Sequence, residues 1–341
     1  MKYQIVSTPK ERITIRHVAE DAGVSVAAVS KVLRNAYGVS GLLRQKVETS
    51  IEKLNYRPSV AARAMRGRTN TIGVLVVELS NPFLAGVIEA ANATFSQSNY
   101  KALVGIGRSK SPIEASMIES MIDNRMDGVL IIAPRISRKM VERYSQQIPI
   151  VAIAHHESQA LTYDTANSDD HKGAALAVET LLSRGYEDIA MLSYTLSDPR
   201  PSEVAAQREI GYRERMEQAG LGAKARIIRL PAPGADRSEG IADFLRAKDR
   251  PRAVFVWSDL DAVPLLNAAR MSGMRVPEDL AIIGYDNSPP AAIPLVGLTS
   301  IDQNPSRLGG IAGQMLLSRI DGRQEAQHIL IEPDVAVRGS I

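Results

Sequence analysis

Two short amphipathic stretches separated by a glycine lie near the N-terminus, and they restrict the possible folds of this chain more than any other feature. Thr14 precedes the first stretch, and its hydroxyl can accept a free backbone N–H at a helix start. Gly23 can take a positive φ without steric cost and end that helix in a tight turn. Ser25 can then cap a second helix, one face of which is apolar. This arrangement predicts a helix-turn-helix.

The positive charge of the chain is concentrated around these two helices. Residues 1–70 contain 13 Lys and Arg against 5 Asp and Glu, whereas the whole 341-residue chain has a net charge of only +3. A basic head on a mildly acidic body is typical of a protein that binds the phosphates of DNA. We therefore expect a DNA-binding domain over residues 12–58.

Composition and motifs exclude several other classes of protein. The absence of cysteine excludes disulfides, thiolate metal sites and a cysteine nucleophile, and it fits a cytoplasmic location. The N-terminus lacks the apolar segment of a signal peptide, and no run of about 18 apolar residues could span a membrane. Ser193 lies in no Gly-x-Ser-x-Gly elbow, and adjacent His155 and His156 would point to opposite faces of a strand. We expect no enzyme, no metal and no cofactor.

From Thr71 onwards, short apolar runs alternate with helical patterns. The predicted strands are Ile72–Val77, Lys101–Ile106, Gly128–Ala133, Ile150–Ala154, Ile189–Ser193, Arg226–Leu230, Ala253–Trp257 and Ala281–Tyr285. The predicted helices are about 82–98, 111–124, 136–146, 170–184, 202–219, 235–247 and 258–272. This α/β series predicts parallel sheets with helices on both faces. It is too long for one doubly wound unit, so we expect two Rossmann-like lobes with a ligand cleft between them.

Further motifs extend these patterns over most of the chain. In the head they are Thr14-Ile15, Val18-Ala19, Ala22-Gly23-Val24-Ser25-Val26, Val29-Ser30-Lys31-Val32-Leu33 and Leu54-Asn55-Tyr56-Arg57-Pro58. Beyond the head they include Asn81-Pro82-Phe83, Asp127-Gly128-Val129, Asp169-Asp170, Gly211-Tyr212, Val276-Pro277-Glu278-Asp279 and Gly284-Tyr285-Asp286-Asn287. Together they resemble the lac-repressor type (LacI/GalR) transcription regulators, whose effector-binding core is similar to periplasmic sugar-binding proteins.

The resemblance implies a transcription regulator that binds a palindromic operator as a homodimer, and we expect it to be a repressor. It implies a hinge helix and linker over 59–70, in which Met65 would be an apolar wedge in the minor groove. The remaining 71–341 would form the effector-binding and dimerisation core. The implied first lobe is about 71–165 and 297–325, and the second is about 166–294 and 326–341.

The DNA-contacting positions of the family fall on ten residues of this sequence. They are Thr14, Ser25, Val26, Ala27, Ser30, Lys31, Arg34, Tyr56, Arg63 and Met65. Val26 and Ala27 could contact only thymine methyl groups. Lys31 would offer guanine a point charge in place of the planar fork of an arginine.

The effector-binding positions that we expect in the cleft are Phe83, Arg208, Trp257, Ser258 and Asp286. Arg208 offers a fork of donors to vicinal hydroxyls or a carboxylate, and Asp286 accepts hydroxyl or N–H donors. Phe83 can stack on a sugar or purine face. The expected effector is a sugar or sugar derivative, and a purine-type corepressor is the alternative. A sugar-binding transport protein would fit the core alone, but the basic head and the missing export signal argue against it.

Overall fold

The structure is a computed structural model that describes residues 13–34, 36–57, 67–195, 203–232 and 235–341. The chain divides into two units between Thr69 and Asn70. Each unit has its own core, so the head and the larger unit are treated separately. Within the described residues, no helix combines the length and the apolar character that crossing a membrane requires.

The head contains the predicted helix-turn-helix and a third helix. Its helices are α1 (Ile15–Asp21), α2 (Val26–Leu33) and α3 (Gly41–Lys53). Gly23 has φ +65°, as the predicted turn requires. The Ser25 hydroxyl accepts the backbone N–H of Ala28 at 3.2 Å, which satisfies one of the free donors at the start of α2.

A small apolar core joins the three helices of the head. Its buried members are Val18, Ala19, Val29, Val32, Val47 and Tyr56. A domain of this size buries a smaller fraction of its surface than a larger one does, so its stability is marginal. Each buried side chain therefore carries a large share of the free energy that keeps the head folded.

The larger unit contains two six-stranded sheets. The strands are β1 (Thr71–Val76), β2 (Lys101–Ile106), β3 (Gly128–Ile132), β4 (Ile150–Ile153), β5 (Asp164–Ser168), β6 (Ile189–Tyr194), β7 (Arg226–Leu230), β8 (Ala253–Val256), β9 (Ala281–Tyr285), β10 (Thr299–Asp302), β11 (His328–Ile331) and β12 (Asp334–Ala336). The first sheet has the order β11-β5-β4-β3-β1-β2, and the second has the order β12-β10-β9-β8-β6-β7. Neighbouring strands run parallel, apart from β12, which is antiparallel to β10. The two predicted lobes are confirmed.

Helices connect the parallel strands, as the alternating pattern predicts. They are α4 (Pro82–Gln97), α5 (Ser111–Asp123), α6 (Arg138–Ser145), α7 (Asp170–Ser183), α8 (Val204–Gln218), α9 (Ser238–Arg246), α10 (Asp259–Met271), α11 (Pro289–Ala292) and α12 (Pro305–Ile320). The eight predicted strands coincide with β1–β4 and β6–β9 to within one or two residues. The strands β5, β10, β11 and β12 were not predicted.

The C-terminal strands change the implied division into lobes. The resemblance placed 297–325 in the first lobe, but β10 pairs with β9 in the second sheet, and α12 begins only at Pro305. It placed 326–341 in the second lobe, but β11 pairs with β5 in the first sheet. Backbone hydrogen bonds fix these strands, so the chain crosses between the lobes after β5, after β10 and after β11.

Candidate functional site

A cleft lies between the two lobes at the carboxyl ends of their strands, which is where parallel sheets bind ligands. It encloses about 850 Å³, including the part that is open to solvent. The polar and aromatic side chains along it include Glu78, Phe83, Arg135, His155, Tyr194, Glu203, Arg208, Trp257, Asp286 and Gln303. Both lobes contribute, so a ligand held here would contact both.

Four of the five predicted effector-binding residues line this cleft, namely Phe83, Arg208, Trp257 and Asp286. Ser258 is the exception. It is buried, and its hydroxyl donates to Oδ2 of Asp286 at 2.7 Å. Ser258 therefore orients Asp286 from behind the cleft surface.

Arg208 occupies the floor of the cleft on α8. A Cβ at Gly211, three residues later, would lie 2.1 Å from the backbone oxygen of His171, so a glycine is needed where α8 crosses α7. The Arg208 side chain is 3% exposed, and its Nε donates to Oδ1 of Asp170 at 2.7 Å. Its guanidinium lies 3.6 Å from the ring centroid of Tyr285. Its Nη2 donates to none of the described residues, which leaves that group for a ligand.

Asp286 follows β9 and lies close to Arg208. Its φ of +112° is unusual for a residue other than glycine and costs on the order of 1–3 kcal/mol. The backbone N–H of Asp286 donates to the oxygen of Ile301 at 2.8 Å, and Nε2 of Gln303 donates to its Oδ1 at 2.6 Å. Nη1 of Arg208 is 3.9 Å from Oδ1. Each carboxylate oxygen accepts one close hydrogen bond and has capacity for another.

The buried charged groups on the cleft floor shift one another's pKa values. Burial raises the pKa of Asp286 to about 7, Arg208 opposes that rise, and the charge of Asp259 adds to it. Burial likewise raises the pKa of Asp259 to about 6, against the hydrogen bonds from Ser288 and Ser300. Burial also acts on Asp170, but Arg208 and a 2.8 Å contact with His156 outweigh it and lower the pKa.

These raised pKa values predict a dependence of stability on pH. Between about pH 4 and pH 7 the folded state holds protons on Asp286 and Asp259 that the unfolded state has lost, so the free energy of unfolding falls as pH rises. Asp286→Asn should reduce this slope, which for one carboxyl is at most on the order of 1 kcal/mol per pH unit. Denaturant unfolding from pH 5 to pH 8 measures it.

Asp279 provides the control for this measurement. It is half-buried, and hydrogen bonds from Arg275 lower its pKa to about 2, below the measured range. Asp279→Asn should therefore leave the slope unchanged. Equal slopes in the wild type and Asp286→Asn would contradict the assignment of this pH dependence to the cleft floor.

Aromatic side chains from both lobes line the cleft. Phe83 stands at the start of α4, where Asn81 accepts its backbone N–H at 2.9 Å. Trp257 follows β8, and its indole N–H donates to Oδ2 of Asp261 at 2.5 Å. Tyr194 packs edge-on against Trp257 with the ring centroids 4.6 Å apart. The indole N–H is thus engaged, and Trp257 offers a ligand ring surface rather than a donor.

Six of the polar and aromatic cleft residues were not predicted, namely Glu78, Arg135, His155, Tyr194, Glu203 and Gln303. The first four follow predicted strands, so the rule that ligands bind at carboxyl ends could have identified them. Gln303 follows β10, which was not predicted, and Glu203 precedes α8, so neither carries such a signal. Among the described residues, no group of three or more His, Asp or Glu side chains could hold a metal ion.

The predicted DNA-contacting residues of the head lie mostly on one exposed face. Those that are exposed are Thr14, Ser25, Val26, Ala27, Lys31 and Arg34, and Ser30 is half-buried. Val29 and Val32 on the opposite face of α2 are buried in the head core. Arg63, Met65 and most of the expected hinge helix lie outside the described residues.

Tyr56 differs from the other predicted DNA-contacting residues. It is 7% exposed and packs in the head core. Its ring packs against the buried side chains of the head core. Its backbone follows the end of α3, and its N–H donates to the oxygen of Ile51. Tyr56 therefore has a packing role in the head, and its contact with DNA stays a prediction.

Comparison with protein families agrees with both units. Residues 14–59 match the family described as bacterial regulatory proteins, lacI family. Residues 178–341 match the periplasmic binding protein-like domain. Among solved structures, the transcriptional regulator CelR in complex with cellobiose shares 27% identity at a TM-score of 0.67, covering 97% of this chain and 100% of its own. A lac repressor dimer bound to operator and the anti-inducer ONPF has the same fold, with 24% identity, a TM-score of 0.80, and coverage of 97% and 99%.

Curated relatives match over nearly the full length. The HTH-type transcriptional repressor PurR of Erwinia tasmaniensis is 30% identical, over 96% of each chain. PurR of Salmonella typhi is 31% identical with the same coverage. With an exposed helix-turn-helix face and a polar cleft between two lobes, this chain belongs to the lacI family of bacterial regulatory proteins and is a DNA-binding transcription regulator with a small-molecule effector.

Proposed function

We propose that this regulator is a repressor that binds a palindromic operator as a homodimer in the cytoplasm, without enzymatic activity. The proposed domains are a head at 12–58, a hinge and linker at 59–70 with Met65 as the wedge, and a core at 71–341. A ligand that favours one arrangement of the lobes would change the order of the hinge and hence the affinity for DNA. The full-length relatives named as repressors support this proposal.

We propose that the effector is a sugar or sugar derivative. The observation that carries this proposal is the paired floor of the cleft, where Nη2 of Arg208 is a donor without a partner among the described residues and Asp286 presents acceptors. Oδ1 of Asp286 lies 3.9 Å from Nη1 of the same guanidinium. Vicinal hydroxyls can accept a hydrogen bond from Arg208 and donate one to Asp286. Phe83 and Trp257 provide ring surfaces for the apolar face of a sugar. The similarity to the regulator CelR, solved with cellobiose, is consistent with this class of ligand.

A purine-type corepressor is the second candidate. The same two aromatic side chains could stack on a purine, and Asp286 could accept its N–H groups. The cleft therefore suits either class, and a ligand screen distinguishes them.

The experiment is a thermal-unfolding screen of the full chain against neutral sugars, sugar phosphates and purines. A ligand at 100 times its dissociation constant adds about 2.7 kcal/mol to the folded state, which for a core of this size is several degrees. Stabilisation by a sugar supports the proposal, and stabilisation only by a purine supports the alternative. If no member of the panel stabilises the protein, the assignment to both ligand classes is contradicted.

A substitution at Lys31 tests whether α2 contacts the bases of the operator. Both Lys31 and Val26, which is 41% exposed, are accessible to solvent on α2. If Lys31 contacts a base, Lys31→Ala should weaken operator binding by about 1–3 kcal/mol. Binding to random DNA should fall much less. Lys46→Ala, an exposed lysine of α3, is the matched control, and its effects on operator and random DNA should be equal. Equal losses for Lys31→Ala would contradict base contact by Lys31.

A further inference from the structure

An ion pair joins the two lobes across the cleft. Arg135 follows β3 of the first sheet, and Glu203 immediately precedes α8, which connects β6 and β7 of the second sheet. Nη1 of Arg135 is 2.8 Å from Oε2 of Glu203, and both residues line the cleft. Their side chains are 27% and 11% exposed, so the contact is partly shielded from water.

The first lobe holds Arg135 firmly. Its backbone N–H donates to Oε2 of Glu114 at 2.7 Å, and the same oxygen accepts the N–H of Ile136 at 3.0 Å. The Ser111 hydroxyl donates to the backbone oxygen of Arg135 at 2.9 Å. Glu114 is itself buried on α5. The side chain of Arg135 thus extends from a fixed backbone, and its contact with Glu203 constrains the position of the second lobe.

Among the described residues of the second lobe, Glu203 and Tyr194 interact with Arg135. Glu203 is the N-cap residue of α8, the helix that carries Arg208, so its position is coupled to the cleft floor. Tyr194 at the end of β6 is the other group. Burial opposes the charged form of Arg135, yet its pKa is raised, because Tyr194 and Glu203 stabilise the guanidinium.

Among the described residues, the other hydrogen bonds found between the lobes lie beside the points where the chain crosses. The 2.8 Å contact of His156 with Asp170, for example, adjoins the crossing after β5. Residues that flank a crossing cannot separate far when the lobes move. Arg135 and Glu203 are far in sequence from all three crossings, so their contact can break when the lobes separate.

We propose that Arg135, Glu203 and Tyr194 form a latch that holds the two lobes together across the cleft, so that the cleft opens only when the latch breaks. The latch depends on the geometry of the lobes alone and would stand even if the proposed effector class or operator were wrong. It makes Arg135 and Glu203 positioning residues that set the resistance of the cleft to opening.

The latch should be modest in strength and sensitive to salt. Loss of a partly shielded ion pair changes an equilibrium by roughly two- to fivefold. At 1 M salt the Debye length is about 3 Å, so the exposed part of the interaction is screened. The open fraction of the wild type should therefore rise with salt.

The single tryptophan of the chain can report opening without any label. Trp257 lines the cleft and is 8% exposed, so its fluorescence quenching by acrylamide measures access to the cleft. In the ligand-free full chain, Arg135→Glu and Glu203→Arg should each increase the quenching constant, because like charges then face each other. The increase should reflect an open population that is roughly two- to fivefold larger.

The double variant Arg135→Glu/Glu203→Arg restores opposite charges and should return quenching towards the wild-type value. It is compared with Glu203→Arg alone, because both place the same unfavourable positive charge at the start of α8. Arg138→Glu is the matched control, since Arg138 pairs with Glu142 at 2.8 Å within α6 and does not bridge the lobes. It should leave quenching unchanged.

Two results would overturn the latch. The first is a quenching constant of each single variant equal to that of the wild type. The second is a quenching constant of the double variant equal to that of Glu203→Arg. Circular dichroism verifies the fold of each variant. If a charge reversal prevents folding, Arg135→Gln and Glu203→Gln replace it, and wild-type quenching in both neutral variants would equally reject the proposal.

Discussion

Arg208→Ala should lower the free energy of unfolding of the core by about 3–5 kcal/mol, because it removes one partner from a buried set of charges. Asp170 loses its 2.7 Å bond, and Asp286 loses the nearest cation while staying almost inaccessible to water. The same substitution removes the free donor at the cleft floor. Stabilisation by any ligand found in the thermal screen should therefore disappear, and denaturant titration with and without that ligand measures both effects.

Two variants make the result for Arg208 specific. Arg213→Ala removes an exposed arginine from the same helix and should change stability by no more than about 0.5 kcal/mol. Arg208→Lys keeps the charge without the planar fork, so it should preserve part of the stability and little of the ligand response. An Arg208→Ala protein that is as stable as the Arg213→Ala protein and still responds to ligand would refute the role assigned to Arg208.

Val29→Asp should unfold the head and abolish DNA binding while leaving the core intact. Val29 is fully buried on α2, and an unpaired buried carboxylate costs several kcal/mol. A core as small as that of the head supplies at most about 3–5 kcal/mol. Calorimetry should retain the transition of the larger unit, and the ligand response should persist, whereas mobility-shift titrations should show no operator complex.

The exposed residue Glu52 on α3 provides the comparison for the head. Glu52→Ala should retain a folded head and operator binding. If Val29→Asp still bound operator with wild-type affinity, the packing of α2 described here would be incorrect. If it also abolished the ligand response, the independence of the core would be refuted.

The local sequence pattern was sufficient to predict eight of the twelve strands of the larger unit. Those strands are apolar runs bounded by turns, and such runs are predictable from their neighbours alone. The strand β5 is different, because Asp164-Thr-Ala-Asn-Ser168 is polar and yet fully buried. Asp164 forms ion pairs with Arg319 and Arg323, which lie near the C-terminal end of the sequence. That partnership exists only in the folded protein, so no local pattern indicates it.

The cleft residues likewise include some that a sequence motif identifies and others that it does not. Arg208 and Asp286 stand in motifs that could be recognised in the sequence, and the structure brings them to within 3.9 Å. Gln303 and Glu203 stand in no recognisable motif and reach the cleft only through the crossings and the packing of α8. Ser258 shows the intermediate case, since its position was predicted but it contacts Asp286 from behind the cleft surface.

The most direct test of the central claim is selection of DNA duplexes from a randomised pool by the full chain, with the selected sequences read by sequencing. A dimeric reader of this family should enrich an inverted repeat whose half-sites are about one helical turn, or a multiple of it, apart. The affinity for that repeat should change when the ligand from the thermal screen is added. Enrichment of no sequence, or of a repeat whose affinity the ligand leaves unchanged, would contradict a ligand-controlled regulator.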